Sequence, residues 1–343
     1  MTETLDTIAE QMVAPGKGLL AADESTGTIK KRFDGIGVTS TADTRRDYRE
    51  MLFRTDEAMR KHISGVILYD ETIRQTAEDG APLVQLIKDA GSIPGIKVDT
   101  GAKTLAGSNG EKITEGLDGL RERFAEYHDL GARFAKWRAV IDIGRGGDRS
   151  IPSYNCLSAN AHALARYAAL AQEAGIVPIV EPEVLMDGDH DIDTCYAVTE
   201  WVLKEVYQQL YYANVRLEGT ILKPNMIVPG KLCPTQASTE EVAEKTLRCL
   251  KACVPSAVPG IVFLSGGQSD VDATAHLHAI NAIGAAPWKI SFSYGRALQA
   301  APLQAWSGKR ENVPTAQKAF FHRARMNGLA ATGQWNKELE AAA

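Results

Sequence analysis

Eight short apolar segments recur along the chain, each followed by a polar or charged residue and usually by a helix-like stretch. These predicted strands are Gly18–Ala22, Gly65–Tyr69, Gly95–Val98, Phe134–Trp137, Val177–Val180, Thr220–Leu222, Ile261–Leu264 and Ile290–Phe292. The amphipathic stretches between them include Leu117–Asp129, Ala159–Ala174, Thr194–Ala213 and Thr239–Ala252. Gly131 and Gly175 follow two of these stretches, as glycines that end helices do. The alternation predicts a (β/α)8 barrel rather than an open doubly wound sheet. No GxGxxG motif follows an early strand, which argues against a dinucleotide-binding domain.

Composition limits the classes of partner and compartment. The 343 residues contain no linker-like stretch, so we expect one domain over 1–343 with a short C-terminal tail of about 330–343. A net charge of −5 gives no electrostatic case for nucleic acid or an anionic membrane. No apolar run is long enough to span a bilayer, and Met1–Gln11 lacks the features of a signal peptide. Five cysteines without a CxxC pair indicate a reducing cytoplasm.

The sequence predicts no metal site. The nearest approach to ligand spacing is His276-x-His278, close to two aspartates. These histidines fall in a predicted helix, where residues two apart point to different faces. We therefore interpret them as surface residues.

Lys223 ends the apolar run Gly219–Leu222, and Pro224 stops the predicted strand one residue later. Burial of an ammonium group favours its uncharged amine, and an uncharged amine beside a carbonyl substrate forms a Schiff base. This segment alone is equally compatible with a strand-end lysine that extends its ammonium into solvent.

The ends of the other strands favour the chemical interpretation. In a barrel these ends meet at one mouth, and here they carry Asp23, Lys97, Lys136, Arg138, Glu181 and Glu183. The cations Lys136 and Arg138 are expected to disfavour an ammonium at the neighbouring lysine. Glu181 is placed to move protons, with Asp23 as a second acid–base group. Glu183 shares a face with Glu181 if the strand continues through Pro182.

The last two strands predict a phosphate site. The turns Ser265–Gln268 and Ser293–Arg296 follow strands seven and eight, where barrels frequently bind phosphate on backbone N–H groups. Lys31 and Arg32, after strand one, are candidates for a second phosphate. The segment Arg145–Arg149 is expected to form a long basic loop after strand four.

Over nearly its whole length, the chain resembles the class I, Schiff-base fructose-1,6-bisphosphate aldolases. The segments that carry the resemblance are APGKGLLAADESTG (14–27), GIKVD (95–99), FAKWR (134–138), VPIVEPE (177–183), LEGTILKPNM (217–226), FLSGGQS (263–269) and FSYGRALQ (292–299). The resemblance implies reversible cleavage of fructose 1,6-bisphosphate to dihydroxyacetone phosphate and glyceraldehyde 3-phosphate, in glycolysis and gluconeogenesis. It also implies a homotetramer without metal or organic cofactor.

The resemblance implies a role for each matching residue. Lys223 matches the Schiff-base lysine, Glu181 the proton shuttle, Lys136 its electrostatic helper, and Asp23 the group that takes the C4-hydroxyl proton, with Glu183 nearby. One phosphate site is implied at Ser265, Gly266, Gly295 and Arg296, and the other around Ser25, Arg32, Lys97 and Arg138. Animal and plant members carry a terminal tyrosine on a flexible tail, whereas this sequence has no tyrosine after Tyr294.

Two rival functions differ from this expectation. One is a lysine Schiff-base aldolase acting on a monophosphorylated sugar, which would cleave fructose 1-phosphate as fast as the bisphosphate. The other is a catalytically idle barrel that serves as a scaffold, favoured only by the missing tail tyrosine.

Overall fold

The computed structural model describes residues 4–146 and 149–341. Within them the strands β1 to β12 are, in chain order, Gly18–Ala22, Ile63–Leu68, Ile93–Lys97, Gly101–Thr104, Lys112–Glu115, Phe134–Ile141, Gly144–Gly146, Arg149–Ile151, Val177–Val184, Ile221–Leu222, Gly260–Phe263 and Lys289–Tyr294. The helices α1 to α14 are Leu5–Met12, Thr26–Asp34, Ala42–Phe53, Asp56–His62, Asp70–Ile73, Leu83–Asp89, Leu120–Asp129, Tyr154–Glu173, Ile192–Tyr212, Thr239–Cys253, Asp270–Ile283, Arg296–Trp306, Val313–Ala331 and Lys337–Ala341. Short 3-10 turns occupy Leu217–Gly219 and Arg310–Asn312.

Eight of the strands form a closed parallel barrel, in the order β1-β12-β11-β10-β9-β6-β3-β2. The ring closes where β1 pairs with β12, with Leu19 opposite Ser293. These are the eight strands that the apolar segments predict, so the predicted (β/α)8 barrel is confirmed. The four predicted amphipathic helices correspond to α7, α8, α9 and α10, and the largest boundary difference lies at the start of α8.

Two antiparallel hairpins were not predicted. The first pairs β4 with β5 and follows the third barrel strand. The second pairs β7 with β8 after β6, where the sequence indicated only a long loop. The expected Arg145–Arg149 loop is therefore wrong in part, because its flanking residues pair as strands, while residues 147–148 lie outside the described chain.

The lower half of the barrel is filled by apolar side chains. Its interior cluster joins inward-facing strand residues such as Leu19, Phe134 and Ile179 to residues of α1, which closes the N-terminal end. A Cβ added at Gly95 would lie 2.3 Å from the Phe134 ring. Only glycine at this position leaves room for the Phe134 ring. The polar groups of the barrel lie at the opposite, C-terminal end.

The helices pack around the barrel in the order that the alternation requires. Gly131 and Gly175 have φ of 103° and 71° one residue beyond the caps of α7 and α8, which confirms them as helix-ending glycines.

Within the described residues, no helix is both long and apolar enough to cross a bilayer.

Candidate active site

The strand register places a charged layer directly above the apolar interior. Successive strand residues point to opposite faces, so the alternation that turns Phe134 inward in β6 also turns Lys136 inward. In β10 the same step leads from Ile221 to Lys223. Side chains separated by 87 positions in the sequence therefore line one chamber.

Strand β9 supplies two carboxylates to this layer. It continues through Pro182 as far as Val184, with Arg138 of β6 opposite Glu181 in the register. The strand therefore keeps its alternation, and Glu181 and Glu183 both face the chamber.

The chamber is a cavity of about 350 Å3 at the C-terminal ends of the barrel strands. The thirteen residues to which the resemblance assigns a role all line it: Asp23, Ser25, Arg32, Lys97, Lys136, Arg138, Glu181, Glu183, Lys223, Ser265, Gly266, Gly295 and Arg296. Apart from Arg32 of α2, they come from seven of the eight barrel strands or from the residues that follow them, which is how barrel sites are generally assembled. Lys31, the other candidate for the second phosphate, is exposed and does not line the cavity.

Lys223 is buried beside a carboxylate. Its Nζ lies 3.3 Å from Oε1 of Glu181, and the two residues are 4% and 3% exposed. The backbone N–H of Lys223 donates to the carbonyl of Val180 at 2.8 Å, which fixes the start of the side chain. The alternative of a strand-end lysine reaching into solvent is therefore wrong.

Lys136 lies at the centre of a cluster of carboxylates. Its Nζ is 2.8 Å from Asp23, 3.5 Å from Glu181 and 3.9 Å from Asp99. Burial acts to lower the pKa of Lys136, but the three carboxylates outweigh it and raise the pKa above the ordinary lysine value. Burial likewise acts to raise the pKa of Asp23, and the charges of Lys136 and Lys223 outweigh it and hold that pKa below its ordinary range. At neutral pH the two groups therefore form an ion pair.

Arg138 and Lys97 are also paired with carboxylates. Arg138 donates from Nε to Glu183, and Nζ of Lys97 lies 3.1 Å from Asp99. Lys136 and Arg138 were expected to act on Lys223 through their positive charge, and the structure shows that carboxylates share both charges.

Arg32 approaches the cavity from α2. Its Nη1 donates to Glu24, and Ser25 caps the same helix by accepting from the N–H of Thr28 at 3.3 Å. The first turn of α2 thus presents its N-terminal end to the cavity, an arrangement that favours anions.

The turns after β11 and β12 form a cradle of Ser265, Gly266, Gly295 and Arg296, which we call the β11–β12 cradle. Gly295 begins α12 without a side-chain cap, so backbone N–H groups of the first turn remain available to a ligand. The adjoining Gly267 has φ of 76°, and a Cβ there would lie 2.2 Å from Met186. Only glycine fits this turn.

Three further cavity residues were not assigned a role from the sequence. Asp99 and Glu24 hold cations of the cavity, and the Ser293 hydroxyl is buried without a hydrogen-bond partner among the described residues. Each belongs to a strand-end motif that the sequence analysis noted. The signal was therefore present, but partners on distant strands cannot be paired from one sequence.

The histidines of α11 differ from their interpretation as surface residues. His276 and His278 are both half-buried, and Nδ1 of His276 lies 2.6 Å from Oε1 of Gln268. In the described ranges, no group of three or more His, Cys, Asp and Glu side chains is arranged to hold a metal ion.

The closed parallel barrel and the lysine–carboxylate cluster at its C-terminal mouth define a (β/α)8-barrel enzyme. Comparison with known proteins specifies which one. The family model described as fructose-bisphosphate aldolase class-I matches residues 4–343. A probable fructose-bisphosphate aldolase class 1 of Xanthomonas campestris is 59% identical over 97% of this chain and 98% of its own length.

Proteins with lower sequence identity to this chain are also similar to it over most of its length. Fructose-bisphosphate aldolase C of Carassius auratus is 53% identical, over 96% of this chain and 90% of its own length. A Plasmodium falciparum fructose-bisphosphate aldolase, solved in complex with TRAP and a small-molecule inhibitor, superposes with a TM-score of 0.94 at 48% identity, covering 97% of this chain and 95% of that one. The chain belongs to the class I fructose-bisphosphate aldolase family, and its activity is the reversible cleavage of fructose 1,6-bisphosphate through a lysine Schiff base.

Proposed function

We propose that Lys223 is the nucleophile of this aldolase and that Glu181 carries the protons of Schiff-base formation. The observation that supports this most directly is the buried contact of 3.3 Å between Lys223 Nζ and Glu181 Oε1. A carboxylate at this distance can accept the proton that the amine must lose before it attacks.

The first half-reaction follows from that contact. The free amine of Lys223, which has passed a proton to Glu181, attacks the C2 carbonyl of the open-chain ketose. A proton then moves from the attacking nitrogen to the C2 alkoxide, which gives a neutral carbinolamine. Glu181, now protonated, gives its proton to the C2 hydroxyl, which leaves as water, and an iminium ion remains. Lys136, whose ammonium lies 3.5 Å from Glu181, favours the return of Glu181 to its carboxylate form.

Asp23 is the base of the cleavage step in this proposal. Its carboxylate, held ionised by Lys136 at 2.8 Å, takes the proton of the C4 hydroxyl. The C3–C4 bond breaks, its electron pair moves into the iminium system as an enamine, and an aldehyde forms at C4. Glu183 contributes through its contact with Arg138, which it holds at the side of the cavity.

Two groups of residues bind the phosphates. We assign the C1 phosphate to the β11–β12 cradle, because β11 is the direct neighbour of the strand that carries Lys223, and C1 is bonded to the reacting carbon C2. We assign the C6 phosphate to a second region formed by Ser25, Arg32, Lys97 and Arg138, which come from the β1, β3 and β6 side of the mouth.

We also propose that the protein is cytoplasmic and forms a homotetramer. All five cysteines are free thiols, which is typical of proteins in a reducing cytoplasm. A homotetramer is expected from the family resemblance, and a single domain over 1–343 from the absence of a linker-like stretch. Size-exclusion chromatography with light scattering would test the tetramer.

Borohydride trapping tests the central assignment. Dihydroxyacetone phosphate and borohydride should leave a reduced adduct on the peptide that carries Lys223. Lys223→Met should abolish both adduct and cleavage, whereas Lys231→Met, at a half-exposed lysine in the loop after β10, should preserve both. An adduct on another lysine of the unmodified protein would contradict the assignment. Equal turnover of fructose 1-phosphate and fructose 1,6-bisphosphate would contradict the role of the second region.

A further inference from the structure

A row of alternating charges leads from the cavity into the helices around it. Arg32 pairs with Glu24, which lies 3.7 Å from Arg49, and Arg49 lies 3.8 Å from Glu71. Glu71 in turn accepts from Arg45 at 2.8 and 2.5 Å. Only Arg32 and Glu24 line the cavity, so the remaining three charges act from behind it.

Arg49 is the most deeply buried of these groups. It is 1% exposed on α3, and its Nη2 donates to the backbone carbonyl of Glu24 at 2.9 Å. Its Nε and Nη1 have no hydrogen-bond partner among the described residues. Removing a guanidinium from water is energetically unfavourable, so a buried one needs a compensating contact. Here the compensation comes from Glu24 and Glu71, so the position of Glu24 depends on Arg49.

Gln299 holds the same carboxylate from α12. Its Nε2 donates to Oε1 of Glu24 at 2.8 Å and to the carbonyl of Ala21, at the end of β1, at 2.6 Å. The residue is 1% exposed. Glu24 is thus fixed to both a helix and a barrel strand, and its carboxylate cannot follow Arg32 if that side chain moves.

Arg32 meets this fixed carboxylate through one nitrogen, Nη1. A guanidinium has five N–H donors in a planar fork, so most of them remain free for an anion in the cavity. We propose that Arg49 and Gln299 are positioning residues that hold Glu24, and through it orient the Arg32 fork toward the C6 phosphate of the substrate.

This inference rests on the proposed function, since it needs a phosphate bound at the second region. Fructose 1-phosphate is the discriminating probe, because it keeps the phosphate of the β11–β12 cradle and lacks the other one. In Arg49→Met and in Gln299→Met, we expect KM for fructose 1,6-bisphosphate to rise at least about tenfold, the effect of disturbing one charge-assisted hydrogen bond. KM for fructose 1-phosphate should stay within about twofold.

A double mutant shows whether Arg49 acts through Arg32. Residues that act through one another are not additive, so Arg32→Met with Arg49→Met should have the same KM for fructose 1,6-bisphosphate as Arg32→Met alone, within about twofold. Arg46→Met is the matched control, since Arg46 lies on the same helix and, among the described residues, forms ion pairs only with Asp43 and Asp47. It should change neither KM.

A parallel rise of KM for both substrates, no rise for either, or additivity in the double mutant would overturn the inference. If Arg49→Met does not fold, Gln299→Met decides by the same criteria. Loss of the borohydride adduct on Lys223 in the unmodified protein would instead overturn the proposed function, which makes the two failures distinguishable.

Discussion

Replacement of Lys136 by methionine would remove the one cation that three carboxylates of the cavity share. Methionine fills similar space but leaves Asp23, Glu181 and Asp99 around an apolar tip, where Nζ had been 2.8, 3.5 and 3.9 Å away. Removing one partner of a buried ion pair generally costs about 3–5 kcal/mol, because the remaining charge is left uncompensated. We expect a loss of this size at pH 8.

The loss can be measured as a thermal midpoint. Unfolding entropies near 2.1 cal/mol/K per residue give about 0.7 kcal/mol/K for the 343 residues. A loss of about 3–5 kcal/mol therefore corresponds to a midpoint about 4–7 °C lower. Lys61→Met is the matched control, because Lys61 pairs with Glu57 at the same 2.8 Å but on the exposed face of α4. An exposed pair contributes about 1 kcal/mol or less, so its midpoint should fall by less than about 1.5 °C.

The pH dependence of the loss in thermal midpoint shows whether uncompensated carboxylate charge is its cause. In the unmodified protein the pKa of Asp23 lies below its ordinary value of 3.8, so its stabilising contribution is complete above about pH 4 and is lost only below that. Without Lys136, burial dominates and the pKa of Asp23 rises. As pH falls, protonation of Asp23 then relieves the repulsion among the three carboxylates. The difference in thermal midpoint between Lys136→Met and the unmodified protein should therefore shrink between about pH 8 and pH 5. Midpoints recorded by scanning fluorimetry at one scan rate test this. A deficit that stays constant or grows on acidification would refute the reasoning.

Three further outcomes follow from the site. Glu181→Gln should lower kcat by about 10²- to 10⁴-fold with little change in KM, in a coupled steady-state assay, because it removes the proton carrier and keeps the volume; an unchanged kcat would contradict that role. Asp23→Asn should abolish cleavage of fructose 1,6-bisphosphate while the borohydride adduct with dihydroxyacetone phosphate still forms, and loss of both would show that the two steps are not separable. Gly267→Ala should lower the thermal midpoint more than Gly37→Ala, because both have positive φ, 76° and 69°, but only the first brings a Cβ within 2.2 Å of Met186; equal losses would remove the contact with Met186 as the cause.

The barrel was predictable because its strands are short apolar runs followed at once by polar groups. Even β10, which pairs over only Ile221 and Leu222, is marked by the apolar run before Lys223. The hairpin of β4 and β5 was not predictable in the same way. Most residues of Gly101–Thr104 and Lys112–Glu115 are exposed or half-buried, so they show none of the apolar patterning that marks a core strand.

The set of candidate site residues was predictable for a related reason, and their pairing was not. Parallel strands bring their carboxyl ends to one mouth, so strand-end charges are expected to converge. Which carboxylate contacts which cation depends on the register and on small differences in strand length. Lys136 was expected to act on Lys223 through its charge, whereas Asp23, directly after β1, lies 2.8 Å from its Nζ. Arg49 gave no signal, because it approaches from an outer helix, and Gln299 ends the segment 292–299 but was assigned no role.

The balance of charge in the cavity explains how an acidic protein accommodates a substrate with two phosphates. Six cationic and five carboxylate side chains line the cavity: Arg32, Lys97, Lys136, Arg138, Lys223 and Arg296, with Asp23, Glu24, Asp99, Glu181 and Glu183. Such a balance leaves little net field, so anion binding must depend on oriented donors at short range.

The two ends of the cavity differ in this respect. Arg296 forms no ion pair within 4 Å among the residues that the structure describes, and it adjoins free N–H groups of α12, so a phosphate can bind the β11–β12 cradle without displacing a carboxylate. In the second region Arg32, Lys97 and Arg138 each share their charge with a carboxylate. In the proposed assignment, a phosphate in the second region meets positive charge that Glu24, Asp99 and Glu183 already partly offset, so it would be held less strongly than at the β11–β12 cradle. If the proposed assignments hold, the aldehyde product has only this weaker attachment after the C3–C4 bond breaks, whereas the other half is still bound to Lys223 and to the cradle. The distribution of carboxylates thus favours departure of the aldehyde first, while the enamine is still covalently held.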